Sequence, residues 1–340
     1  MTGRSSPGRR AATMAIAVVL IVGGCASDDA TEPFAAVTIV DGLDRPTQLA
    51  ITDDGWFVAQ LNGGEDDAAG QIVRLDPTDL AASPVVVLDG LDKPTGVAVF
   101  AGDLWVMEQR RLTRGPLDGS DRTVVVDEMA FNGRSQGTLT VDGDRLLFDT
   151  SGSQRTGTGP AGSPTETSGV LWSIDADGAI TNVGWGFKHA YAHVRDGNGV
   201  LWTTEMSDGS FDDVRALDEL VAVDEGSNHG WPSCVDDNRP VGESGVDRPC
   251  DGVPRSQATF AAGATPTGLA VAPWDSSQLV VALWVERSIV AVPLDPSAAP
   301  AQPVTIVTEV FERPQHLVAD GDRLLVTDHE AGTIVELTSR

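Results

Sequence analysis

Five histidines, two lysines and three cysteines are few enough in a chain of 340 residues to be weighed singly. An imidazole titrates near neutral pH and serves as general acid or base. His316 and His189 are the candidates for that work, because a repeat described below carries both toward one point. His193 lies on an alternating stretch and reads as half-buried and satisfied. His229 reads as structural, and His329 follows a strand into a turn. Both lysines, Lys93 and Lys188, share a repeat position with Arg45, Arg134 and Arg313, and Thr265 takes the sixth place. Cations gathered at one mouth suit an anionic ligand, with Arg offering planar forks for carboxylates. The chain as a whole carries 50 acids against 23 bases, a net charge of -27, which excludes a nucleic-acid partner. Acidic loops offer hard oxygen ligands: Glu205, Asp208, Asp212 and Asp213 in one, Asp236 and Asp237 in another. Their chemistry suits Ca²⁺, with Glu205 and Asp208 the leading pair.

The elements that must position these residues are strands. Short runs of Val, Ile, Leu and Trp alternate with polar residues between Gly and Asp turns, and no sustained 3.6-residue periodicity occurs. One pattern recurs six times: a small or Pro-containing entry, an apolar strand, an Asp/Gly turn, a second apolar strand, a variable loop and a third strand. The entries read RPTQLAI, KPTGVAV, RSQGTLT, KHAYAHV, TPTGLAV and RPQHLVA, placing Gln48, Gly96, Gly137, Ala192, Gly268 and His316 in register. Their spacings are 48, 41, 55, 76 and 48 residues. Periods of about 40 to 50 residues with several strands per unit predict an all-β, six-bladed β-propeller around an axial channel. The long spacing marks an insertion between blades 4 and 5, Gly226 to Ala258. Ala36 to Val40 is expected to close the ring as a strand added to blade 6, removing two exposed edges. The five cations then fall near one mouth of the channel.

Outside the propeller (residues 36–340), residues 1–24 read as a secretory signal: Arg4, Arg9 and Arg10, an apolar run from Ala15 to Val22, then Gly23, Gly24 and Cys25. Val22-Gly23-Gly24-Cys25 resembles a bacterial lipobox, which implies diacylation of Cys25, residues 25–35 as a tether, and anchorage to the outer face of the cell membrane through lipid alone. Removing residues 1–24 takes three Arg and no acid, leaving -30. Export favours pairing of Cys234 with Cys250, fifteen residues apart, against a two-Cys metal site with only His229 nearby.

The stretch GFKHAYAHVRDGNGVLWTTEMSDGSFDD, followed by DELVAVDEGSNHGWPSC, resembles the glucose/sorbosone dehydrogenase family. The matching residues are Gly197, Gly199, Leu201, Trp202, Thr204, Glu205, Asp218, Glu219, Leu220, Gly226, Asn228, Gly230, Trp231 and Pro232. The resemblance implies a soluble six-bladed quinoprotein oxidising a sugar or related alcohol or aldehyde with pyrroloquinoline quinone (PQQ) and Ca²⁺, then passing electrons to an acceptor. It also implies cofactor binding by Arg134, Lys188, His189, Arg313, Arg45 and Lys93. The sequence departs from the family where Lys188-His189 replaces an Arg-Asn pair. It departs again where Arg134 stands at the catalytic His, since a guanidinium accepts no proton. Glu205-Met206-Ser207-Asp208 replaces an E-H-G-P calcium loop. His316 or His189 would then have to supply the base. Two other readings stay open: a non-catalytic propeller binding an anionic ligand or surface partner, and a Ca²⁺-dependent lactone hydrolase.

Overall fold

The computed structural model describes residues 33–63, 69–131, 135–152, 162–207, 209–211, 213–241, 250–294 and 300–340. Among these every regular element is a strand, and no helix occurs. Six antiparallel sheets follow one another along the chain. Blade 1 is Pro46–Thr52, Gly55–Gln60, Gly70–Leu75 and Val85–Leu91. Blade 2 is Gly96–Phe100, Asp103–Met107, Leu112–Gly115 and Thr123–Val126. Blade 3 is Thr140–Asp142, Arg145–Thr150, Val170–Asp175 and Ile180–Trp185. Blade 4 is Ala190–Arg195, Leu201–Glu205, Asp218–Ala222 and Ser256–Phe260. Blade 5 is Pro266–Val271, Gln278–Leu283, Ser288–Pro293 and Val304–Thr308. Blade 6 is Pro314–Asp320, Arg323–Asp328 and Thr333–Ser339, with Phe34–Val40 as its outermost strand. The first strands of the six blades touch in cyclic order, which closes the ring around the axis.

The alternating pattern has a direct packing reason. Each second strand is buried on both faces, so its even and odd residues serve different neighbours. Phe148 packs toward blade 2 with Trp105 and Met107, while the adjacent Leu147 packs toward blade 4 with Ala190 and Leu201. The core accordingly divides into six apolar layers, one between each pair of consecutive blades. A full turn of such layers allows little slippage, because a one-residue shift would exchange the two faces. Tight turns join first and second strands. At Ala101-Gly102 both residues have positive φ, 52° and 85°, the combination that matches the twist of a two-residue hairpin.

The expected closing strand is present: Phe34–Val40 pairs antiparallel with Thr333–Ser339. The inserted segment is placed differently from expectation. Because Ser256–Phe260 pairs with Asp218–Ala222, the insertion lies inside blade 4, before its outermost strand, and not between blades 4 and 5. Ser227–Asn228 within it adds a parallel strand to blade 3. A short hairpin, Cys234–Val235 with Arg239–Pro240, builds a satellite core of Trp231, Val235 and Val241 against Phe211 and Ala216. Cys234 and Cys250 are disulfide-bonded, the pairing expected of them.

Candidate functional site

The mouth at the start of the first strands is built by one device repeated around the ring. The chain entering each blade needs a partner for a backbone N–H that the sheet does not satisfy, and a side chain supplies it. Gln60 Oε1 accepts from Asp44 N at 3.1 Å, and Glu108 Oε2 from Asp92 N at 2.8 Å. Asp149 Oδ1 accepts from Gly137 N at 2.5 Å, Glu205 Oε1 from Lys188 N at 2.7 Å, and Asp218 Oδ2 from Thr265 N at 2.8 Å. Asp328 takes two, from Glu312 N at 2.7 Å and Arg313 N at 2.9 Å. Except for Asp218, the acceptors stand at or beside the ends of second strands, in the segments WFVAQ, LWVME, LLFDT, LWTTE and LLVTD. The charge pattern expected from the sequence was a cation ring. A ring of acceptors, five acids and Gln60, accompanies it, and all but Asp218 recur at second-strand ends.

The predicted cations point to different partners. Arg45 Nη1 donates to the carbonyl of Gly63. The Arg313 guanidinium lies 4.5 Å above the Trp284 ring and donates to the carbonyls of Trp284 and Val285, both at 3.3 Å. Lys188 is buried, and its charge acts on the carboxyls of Asp149 and Glu205. Burial pushes Asp149 up to about 8, against the pull of the Gly137 N–H and of Lys188. Glu205 is raised well above the ordinary glutamate value, first by burial and then by Glu219 beside it on the neighbouring strand. Arg45, Lys93 and Thr265 all hold positive φ, at 55°, 46° and 62°, so the backbone makes the same left-handed turn before three of the blades. Arg134 lies outside the described residues, as do Asp208, Asp212 and Cys25.

A pocket of about 90 Å³ opens at this mouth. Thr47, Thr95, Ser135, Tyr191 and Gln315 line it from the entries of five blades, joined by Lys93, Leu61, Trp284 and His329. Threonine recurs after the entry proline for a reason. Thr47 Oγ1 donates to Pro94 O at 2.8 Å and Thr267 Oγ1 to Pro314 O at 3.0 Å, each clasping the next blade. Thr95, in the same position of blade 2, has a buried hydroxyl without a hydrogen-bond partner among the described residues. Gln315 Nε2 fixes Tyr191 Oη at 2.6 Å. Among the described cations of the expected ring, Lys93 is the one that lines this pocket.

The histidines separate. His189 stands behind Tyr191, ring centroids 5.0 Å apart, with its Nε2 3.4 Å from Asp149 Oδ2. His316 does not join it. Its imidazole lines a second cavity of about 390 Å³ toward the ends of the first strands, where Nδ1 accepts from Leu49 N at 3.5 Å. Burial pushes His316 down to about 4, so it is neutral at pH 7. Gln48 crosses the channel, accepting from Val97 N and Leu139 N and donating to Leu139 O at 2.6 Å. His193 is more deeply buried than its alternating position suggests and sits 2.8 Å from Ala190 O. His229 stacks on Phe187 at 4.3 Å, the structural role its sequence context predicts. His329 is the residue that sequence reasoning passed over: the turn after Asp328 delivers its ring to the mouth pocket. Among the described residues no group of three or more His, Cys, Asp or Glu side chains is arranged to hold a metal ion.

No family model matches the sequence, and no curated protein matches it. Solved structures do match. A calcium structure of a Trichoderma reesei carbohydrate-active enzyme of family AA12 superposes with TM-score 0.71 at 17% identity, covering 91% of this chain and 96% of that one. The PQQ-bound aldose sugar dehydrogenase of Streptomyces coelicolor gives 0.69 at 17%, covering 91% and 99%. The apo aldose sugar dehydrogenase of Escherichia coli gives 0.70 at 15%, covering 90% and 100%. Across nearly its whole described length, this chain shares its six-bladed propeller fold with these structures.

Proposed function

We propose that the mouth binds a sugar or related alcohol together with a quinone cofactor, and that the protein oxidises that substrate. The observation that carries this reading is the donor set of the pocket: Lys93, the Thr95 hydroxyl, which has no hydrogen-bond partner among the described residues, Ser135 and the Gln315 amide, at blade entries of a propeller shared with a sugar dehydrogenase. These groups fit the carboxylate and carbonyl oxygens of a tricarboxylate quinone such as PQQ. A quinone held there supplies a two-electron acceptor for a carbinol hydrogen. Lys93 would take a carboxylate oxygen and the Thr95 hydroxyl a second oxygen, while Gln315 keeps the Tyr191 ring upright against the ligand. Buried Lys188 works indirectly, by its charge on Asp149 and Glu205.

Calcium stands apart. Glu205 already accepts the Lys188 N–H inside a buried carboxyl pair, and its expected partner Asp208 lies outside the described residues. No step is routed through the ion. Export and lipid attachment through Cys25 belong to the same proposal, and mass analysis of the N-terminal peptide from a membrane fraction checks them.

Purified protein incubated with PQQ, with and without Ca²⁺, should reduce a redox dye in the presence of one or more aldoses, polyols or aldehydes. Absence of quinone-dependent reduction across the panel contradicts the reading.

A further inference from the structure

The cavity of about 390 Å³ beyond the mouth is lined by the first strands of all six blades. Each blade contributes an aliphatic residue that is half-buried or exposed: Ile51, Val99, Val141, Val194, Val271 and Val318. Water meets this collar at a hydrophobic cost, which an apolar ligand body removes. The volume falls within the range of about 300 to 1,000 Å³ typical of small-molecule sites. Most polar side chains on the wall are already engaged. Gln48 commits both ends of its amide to blades 2 and 3. Thr52 Oγ1 donates to Gly55 O at 2.8 Å, and His193 Nε2 donates to Ala190 O at 2.8 Å. Thr140 Oγ1 lies 3.4 Å from both Nδ1 and the carbonyl of His193. His316 differs. Its Nδ1 faces the N–H of Leu49, which only donates, so Nε2 carries the ring proton. Nε2 has no hydrogen-bond partner among the described residues, and it is not sealed from the cavity.

We propose that this cavity is a second binding site, for a small neutral carbonyl compound whose oxygen accepts the His316 Nε2–H and whose apolar body fills the aliphatic collar. The site goes beyond the oxidation reading and does not depend on it. The charge of the ligand follows from the wall. Among the described lining residues none is Asp, Glu, Lys or Arg, and burial keeps both His193 and His316 neutral at pH 7. An ion entering the cavity would therefore lose hydration without gaining an opposite charge. An anion is opposed a second time, because the turns after the first strands expose Asp53, Asp54, Asp144 and Asp322. A carbonyl oxygen suits Nε2 because it is an acceptor that needs no donor in return.

The test is an NMR titration of the purified protein with two probes that share one bicyclic body, camphor, a neutral ketone, and camphorsulfonate, its anionic counterpart. Camphor should shift the His316 ring resonances and the methyl resonances of Val99 and Val271 saturably, with the Thr95 methyl at the mouth unmoved. Camphorsulfonate should bind about tenfold or more weakly than camphor. His316→Phe keeps a ring and removes the donor, so camphor affinity read from the valine methyls should fall about tenfold. Ala319 lines the cavity at an exposed position, and Ala319→Phe should narrow the site and weaken camphor without touching the core. This second variant carries the test if His316→Phe does not fold. No saturable shift at His316, a shift centred on Thr95 instead, equal camphor affinity in the variants and wild type, or camphorsulfonate binding as tightly as camphor would each overturn the proposal.

Discussion

Thr95 and Asp149 are held in the structure at a cost that a purely structural role does not explain. A buried hydroxyl without a partner among the described residues loses the hydrogen bonds that water gave it, so Thr95→Val should leave stability unchanged or raise it by about 1 kcal/mol. The same substitution should weaken ligand binding at the mouth. Urea unfolding together with a binding titration checks both halves. Asp149 gives a pH signature. Its folded value, about 8, lies above the ordinary 3.8, so between these limits the folded state keeps a proton that the unfolded chain has lost. Stability from this group is therefore full below about pH 4 and declines as pH rises to about 8. Asp149→Asn can keep the Gly137 contact without carrying a charge. The variant should gain stability relative to wild type from pH 5 to pH 8, measured by unfolding at both.

At the scale of elements, the first strands and the closing strand were legible because their signals are local and periodic. Pro or a small residue fixes the entry, alternation fixes the faces, and AVTIV had no partner except the open edge of blade 6. The outermost strands were not legible. Val85–Leu91 is largely exposed, so few of its residues are constrained by the core. The position of the insertion was hidden for the same reason: Ser256–Phe260 carries no entry motif, and only pairing with Asp218–Ala222 assigns it to blade 4. The cations were found in sequence, but the pairing of the second-strand acceptors with backbone N–H groups is one that no residue type advertises. Two outcomes follow at this scale. Deleting residues 33–40 exposes the edge of Thr333–Ser339 and should yield dimers or aggregates by light scattering. Replacing both Cys234 and Cys250 by Ser releases a loop of fifteen intervening residues and should lower unfolding free energy by about 3 kcal/mol, checked by denaturant titration.

For the whole molecule, the charge of -27 describes an envelope that repels anions, and the described cations of the expected ring are directed to different partners. Arg45 and Arg313 are turned to backbone carbonyls, Lys188 is buried beside carboxyls, and Lys93 alone among these four reaches the mouth pocket. The mouth pocket is thus of mixed polarity with Lys93 among its described lining residues, held on a scaffold of six interlocked apolar layers. Such a site should bind a polyanionic quinone with moderate salt dependence, because salt screens the charge of half-buried Lys93 but not the surrounding hydroxyl and amide donors. The most direct measurement is calorimetric titration of the purified protein with PQQ, comparing wild type with Lys93→Met. Stoichiometric binding by wild type, weakened about tenfold or more in the variant, is the predicted result. No binding by wild type, or equal binding by both, would contradict the assignment of the mouth as the quinone site.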